Sequence, residues 1–156
     1  MAEKIVFICT GNTCRSPMAA YIASYVAERK YPRANFMFDS AGLFAAENVP
    51  ATAEAKDVLS KHGIDMSKHR SKMFKEPMVE KADILITMTQ GHKRALLEAY
   101  PRAEAKTFTL GELSGSNNDV HDPYCGSREV YEKTASVLRR EIEIVLDKAA
   151  KGLLPV

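Results

Sequence analysis

Long hydrophobic runs are missing from this 156-residue sequence: stretches such as Ile5-Val6-Phe7-Ile8-Cys9 and Ile84-Leu85-Ile86 fall far short of the ~20 apolar residues needed to cross a bilayer. No membrane partner is expected. An excess of charge of one sign is missing too, since 22 Lys and Arg oppose 20 Asp and Glu for a formal net charge of +2. That balance excludes a chain whose main task is to coat nucleic acid, so any anion it binds must be met locally. Only three cysteines are present, Cys9, Cys14 and Cys125. An odd count in a chain long enough to bury a core without staples predicts a reducing, cytoplasmic setting and cysteine used for chemistry. The three form no C-x-x-C pair, so neither a metal site nor a cofactor is expected. Repeats, charge blocks and low-complexity linkers are also lacking, and Met1-Ala2-Glu3-Lys4 leads into a strand-like run with no apolar h-region. The expectation is one domain over residues 1–156 without an export signal.

What is there is an alternation of short β-branched runs and helical patterns. Strands are predicted over Lys4–Cys9, Asn35–Ser40, Asp83–Met88 and Lys106–Phe108. Helices are predicted over Ser16–Lys30, Thr52–His62, Gln90–Ala99 and Arg128–Lys151. In the last of these, Val130, Thr134, Val137, Leu138, Val145, Leu146 and Ala149 recur at helical spacing, a stripe expected to pack on a sheet. Strand–helix alternation predicts an α/β fold, a three-layer domain with a four-stranded parallel sheet and helices on both faces. Gly111–Ser127 breaks the rhythm as a long polar, turn-rich segment, and long loops in compact domains are usually functional or disordered.

Ligands bind such sheets beyond the carboxyl ends of the strands, which directs attention to Cys9 at the end of the first strand. The residues that follow are Thr10-Gly11-Asn12-Thr13-Cys14-Arg15-Ser16-Pro17. Pro17 suits a first helical turn and Ser16 is a good N-cap, so the loop feeds a helix N-terminus. Orphan amides there, the helix dipole and successive loop amides make an anion site, and the Arg15 fork can hold two oxygens of a tetrahedral oxyanion. The loop reads as a phosphate-binding cradle. The same positive field favours a thiolate at Cys9, a nucleophile beside a bound phosphoryl group.

The string CTGNTCRSP closely resembles the phosphate loop of the low-molecular-weight protein tyrosine phosphatase family. The resemblance continues in order through Asp39-Ser40-Ala41-Gly42, the Ser67–Arg70 stretch with His69, and Asp122-Pro123-Tyr124. It implies a phosphatase working through a phosphocysteine intermediate on phosphorylated proteins, with inorganic phosphate as product. It also implies a network of Asn12, Ser16, Ser40 and His69 under the loop, and a redox role for Cys14 in protecting the nucleophile. Thr10 stands where most members carry a bulky aliphatic residue, and looks like the bacterial protein-arginine phosphatases of the family.

Breaking a phosphoryl bond through cysteine calls for an acid at the leaving group and then a base for water, and one carboxyl group can serve both. Asp122, fixed by Pro123 in the irregular loop, is the candidate, and Asp119 is the alternative, read as a turn residue. The smaller, hydroxyl-bearing Thr10 weakens the packing of an aryl ring and offers a guanidinium a hydrogen-bonding neighbour, while Asp122 pairs with its charge. Phosphoarginine is therefore favoured, with phosphotyrosine the alternative. Phe44 and Tyr124 could stack on either substrate at the site mouth. An arsenate reductase would need further cysteines between Cys14 and Cys125, and none occurs. A phosphocarrier gains nothing from Arg15 and an acid at Asp122 that speed hydrolysis, and a module that only binds phosphopeptides is the non-enzyme alternative, with stable binding and no phosphate release expected of it. His62, His92 and His121, the Lys68-His69-Arg70 and Lys93-Arg94 clusters, and Cys125 read as solvated surface or bystanders.

Overall fold

The computed structural model describes residues 3–156. Met1 and Ala2, the start of the expected leaderless N-terminus, lie outside the described residues. In chain order the elements are β1 (Glu3–Cys9), α1 (Arg15–Lys30), β2 (Phe36–Gly42), α2 (Ala53–Lys61), α3 (Glu76–Lys81), β3 (Ile84–Thr87), α4 (Gln90–Ala99), a 3-10 turn (Pro101–Lys106), β4 (Thr107–Thr109), α5 (Leu110–Ser114) and α6 (Arg128–Ala150). All neighbouring strands are parallel, in the order β2-β1-β3-β4. The chain leaves β1 toward β2 on one side and later reaches β3 on the other. The crevice at the carboxyl end of β1 is thus the switch point where such sheets bind ligands.

The period-2 alternation of side chains splits the apolar strands between two cores. Ile5, Phe7, Ile84 and Ile86 face a core shared with α1, α2, α5 and α6. Val6, Ile8 and Leu85 face the other, closed by Phe74, Val79, Leu96 and Ala103. Burial on both faces is why these strands read as continuous apolar runs rather than alternating ones.

The expected α/β architecture is present, with local corrections. Helix α1 begins at Arg15, so Ser16 is not its N-cap; the cap position is Cys14, which makes no side-chain capping bond. The Ser16 hydroxyl lies inside the first turn and turns toward the loop instead. The buried stripe of α6 includes Thr134, Leu138, Val145 and Leu146, but this helix packs chiefly on α1, α2 and α5 rather than on the strands. Alanines along α1, with Ala19 and Ala23 fully buried, let the helices approach closely. The polar loop is shorter than expected, because Leu110–Ser114 forms a turn of helix closed by a reciprocal Thr109–Glu112 capping box. That T-x-x-E signal is present in the sequence. Gly115 ends α5 in the left-handed conformation, φ 90°.

Candidate active site

The loop from Cys9 to Arg15 is shaped by where its carbonyls point. Leu43 and Phe44 amides donate to the carbonyls of Cys9 and Thr10, each at 3.0 Å; His69 Nε2 donates to that of Asn12 at 2.7 Å; and the Thr52 amide donates to that of Thr13 at 3.1 Å. With the carbonyls tied outward, the amides are left for the concave side. Among the described residues, none of the backbone N–H groups of residues 10–16 donates to a protein acceptor. Consecutive free amides at a helix start form an anion-binding nest. Gly42 makes this possible: a Cβ there would stand 2.4 Å from the Thr10 carbonyl oxygen and 3.0 Å from the Asn12 amide nitrogen. At Gly11, by contrast, a Cβ would meet nothing nearer than Thr13 Oγ1 at 3.8 Å, an ordinary contact, and the residue has no positive φ.

Asn12 holds the loop from below. It is fully buried and left-handed, φ 58°, a conformation Asn tolerates better than most residues. Its Nδ2 donates to Ser16 Oγ and Ser40 Oγ, both at 2.9 Å, and its Oδ1 accepts from the Lys72 amide at 3.0 Å. The expected network of Asn12, Ser16, Ser40 and His69 is therefore assembled as one hydrogen-bonded unit. A carbonyl can only accept, so His69 carries its proton on Nε2. Burial lowers the His69 pKa, with Lys72 acting the same way against the hydrogen bond to Asn12.

Cys9 Sγ lies 2.9 Å from Ser16 Oγ. Since Ser16 Oγ already accepts from Asn12, its own hydrogen is free to point at the sulfur, the alternative Ala41 carbonyl being 3.4 Å away. The Ser16 hydroxyl thus stands as a hydrogen-bond donor against the Cys9 sulfur. Arg15 is buried and aimed by Nη1 donating to the Val120 carbonyl at 3.1 Å, with Nη2 3.5 Å from Asp122 Oδ2. Cys9, at the carboxyl end of β1, and the Arg15–Asp122 pair, at the start of α1, thus flank the same strand–loop–helix turn.

The acid loop is docked over the strand ends by its own bonds. The Val120 amide donates to the Met88 carbonyl at 2.9 Å, and Val120 is 2% exposed, the apolar anchor of a segment expected to have little to bury. Asp122 accepts from the Tyr124 amide at 3.1 Å while its side chain stays 54% exposed. Asp119 faces elsewhere, accepting from the Gln90 amide at 2.9 Å at the start of α4. Phe44 and Tyr124 are 79% and 64% exposed, and their backbone amides bond Thr10 and Asp122, which places both at the rim.

Cys14 is buried, its Sγ 3.3 Å from Tyr131 Oη and 3.7 Å from Thr52 Oγ1. Burial raises the Cys14 thiol pKa. Cys125 is exposed on the Pro123–Gly126 turn at φ 63°. His62 pairs with Glu132 at the surface, and Lys93 with Glu112 at 3.0 Å. His92 is the site residue missed by sequence reasoning: its Nε2 lies 2.9 Å from Thr10 Oγ1. Thr10 therefore does not offer a free hydroxyl, because His92 already bonds it.

Residues 4–152 match the family model for the low molecular weight phosphotyrosine protein phosphatase. The chain belongs to this family. A protein-arginine-phosphatase of Geobacillus stearothermophilus is 41% identical over 154 residues, covering 98% of this chain and 97% of the relative. The low molecular weight protein-tyrosine-phosphatase PtpB of Staphylococcus epidermidis is 37% identical over 131 residues, 84% of this chain and 88% of that one. Among solved structures, a cysteine-to-serine mutant of the YwlE arginine phosphatase, with a phosphorylated active-site serine, superposes with a TM-score of 0.91. It is 37% identical and covers 95% of this chain and 96% of its own. The enzyme is a phosphoprotein phosphatase.

Proposed function

We propose that this phosphatase acts on phosphoarginine in proteins, with Cys9 as nucleophile, Arg15 as phosphate clamp and Asp122 as acid and base. The observation that carries the mechanism is the convergence of Cys9 Sγ, the free loop amides and the Arg15–Asp122 pair at the carboxyl end of β1. The Cys9 thiolate attacks phosphorus, forming the S–P bond as the P–N bond breaks. Asp122 gives its proton to the departing guanidine nitrogen. Water then attacks phosphorus, Asp122 takes its proton, the S–P bond breaks, and phosphate leaves with the thiolate restored. Arg15 and the amides meet the charge on the equatorial oxygens, the main contribution available to phosphoryl transfer. The polar Thr10–His92 wall, the carboxylate of Asp122 and the near full-length similarity to a protein-arginine-phosphatase support the arginine preference.

Phosphotyrosine is the second reading, favoured by the exposed rings of Phe44 and Tyr124 and by the similarity to PtpB. Rates on one peptide carrying either phosphoarginine or phosphotyrosine separate the two. The expected result is a higher kcat/KM for phosphoarginine; a higher value for phosphotyrosine replaces this reading with the second.

Cys14 is proposed as the resolving thiol. Peroxide converts the Cys9 thiolate to a sulfenic acid, and attack by Cys14 forms the disulfide and expels the oxygen as water. Mild peroxide is expected to inactivate reversibly, with recovery by a dithiol, and Cys14→Ser to make the loss permanent. Peptide maps with Cys14 free and Cys9 as sulfinic acid would remove this role.

A further inference from the structure

His92 occupies the first turn of α4, where its backbone amide is held by Thr89 Oγ1 at 3.0 Å. From that fixed start the imidazole reaches across the crevice between β1 and β3 to Thr10 Oγ1, a residue 82 positions away in sequence. The other ring nitrogen, Nδ1, is sealed from solvent and has no partner among the described residues. A buried unpaired ring nitrogen is costly to keep, and among the described residues the bond at Nε2 is the one compensation the ring has. Burial first, and then the Arg15 guanidinium, push the His92 pKa down to about 4, against Asp119 and Asp122. The ring is neutral at neutral pH, with a proton on one nitrogen and a lone pair on the other.

We infer that His92 is a positioning residue for substrate choice, its Nε2 accepting the Thr10 hydroxyl hydrogen so that Thr10 presents only lone pairs to the group held in the phosphate loop. The inference rests on the proposed function and refines it. A hydroxyl free to rotate would serve donors and acceptors alike, whereas one committed to His92 can only accept. The leaving group of phosphoarginine carries N–H donors next to phosphorus; that of phosphotyrosine offers only an ester oxygen and a ring. The pair therefore rewards the first and not the second. His92 touches no reacting atom in this arrangement and acts through Thr10 alone.

The test uses the full chain and one peptide bearing either modification. One net hydrogen bond is worth about 0.5–1.5 kcal/mol, up to about a tenfold effect. His92→Leu and Thr10→Val are each expected to lower the phosphoarginine-to-phosphotyrosine ratio of kcat/KM about tenfold, chiefly through KM for phosphoarginine. The double variant is expected to go no lower, and His92→Gln, which keeps an acceptor, to restore most of the ratio. A nitrogen-15 spectrum of the wild-type imidazole is expected to show Nε2 without its proton. Equal losses on both substrates, additive effects in the double variant, or a protonated Nε2 in the neutral ring would overturn the inference. A wild type that prefers phosphotyrosine instead overturns the proposed function, whereas a phosphoarginine preference that His92→Leu leaves intact overturns the role of His92 alone.

Discussion

Cys9→Ser is expected to reduce steady-state turnover by roughly a thousand-fold or more, leaving a folded protein that still binds phosphate. The fold survives because Cys9 is a small buried residue whose neighbour, Ser16 Oγ at 2.9 Å, gives a replacement hydroxyl a hydrogen-bond partner. Phosphate binding survives because the amides of residues 10–16 and the Arg15 guanidinium are untouched. A serine that accepts the phosphoryl group without passing it to water should gain the mass of one phosphoryl group, by analogy with the YwlE mutant that carries a phosphorylated active-site serine. Intact-mass spectrometry and phosphate calorimetry check the two halves. Appreciable turnover by Cys9→Ser, or loss of phosphate binding in a folded variant, would count against Cys9 as nucleophile and against the loop as cradle respectively.

Asp122→Asn is expected to cost roughly 100- to 10,000-fold on substrates with poor leaving groups, the range for a positioned acid. The loss should shrink on an aryl phosphate whose leaving group departs without a proton. Asparagine keeps the acceptor for the Tyr124 amide, so the turn should hold and the change isolates proton transfer. Asp119→Asn is the control. That carboxylate accepts from the Gln90 amide at the positive end of α4, and its loss is expected to cost about 0.3–1 kcal/mol of stability with little change in rate. A larger rate loss from Asp119→Asn than from Asp122→Asn would reverse the assignment.

The loop chemistry was legible because it is local. Cys9, Asn12, Arg15 and Ser16 lie within eight consecutive residues between a strand and a helix. Spacing alone then places a thiol, an Asn that tolerates left-handed backbone and a guanidinium around a helix N-terminus. The strands were legible for a similar reason: burial on both faces leaves runs such as Ile5–Cys9 and Ile84–Ile86 with no polar interruption. Short elements were harder. Helix α3 has only six residues and α5 five, too few for a periodic pattern, although the Thr109–Glu112 box marked the start of α5.

By itself, then, the sequence determined the parallel α/β arrangement and pointed to the proposed phosphate cradle and nucleophile, because the signals lie in strand–loop–helix units of neighbouring residues. Tertiary structure alone decided that Ser16 serves the loop rather than capping α1. It also decided that Cys14 sits against Tyr131, 117 residues distant, and that Val120 aims Arg15. It placed His92 on Thr10 as well, a contact that exists because β3 lies beside β1 and α4 starts directly above their carboxyl ends. A lone histidine has no periodicity and no spacing signature, so only the packing of distant elements can turn it into part of a site.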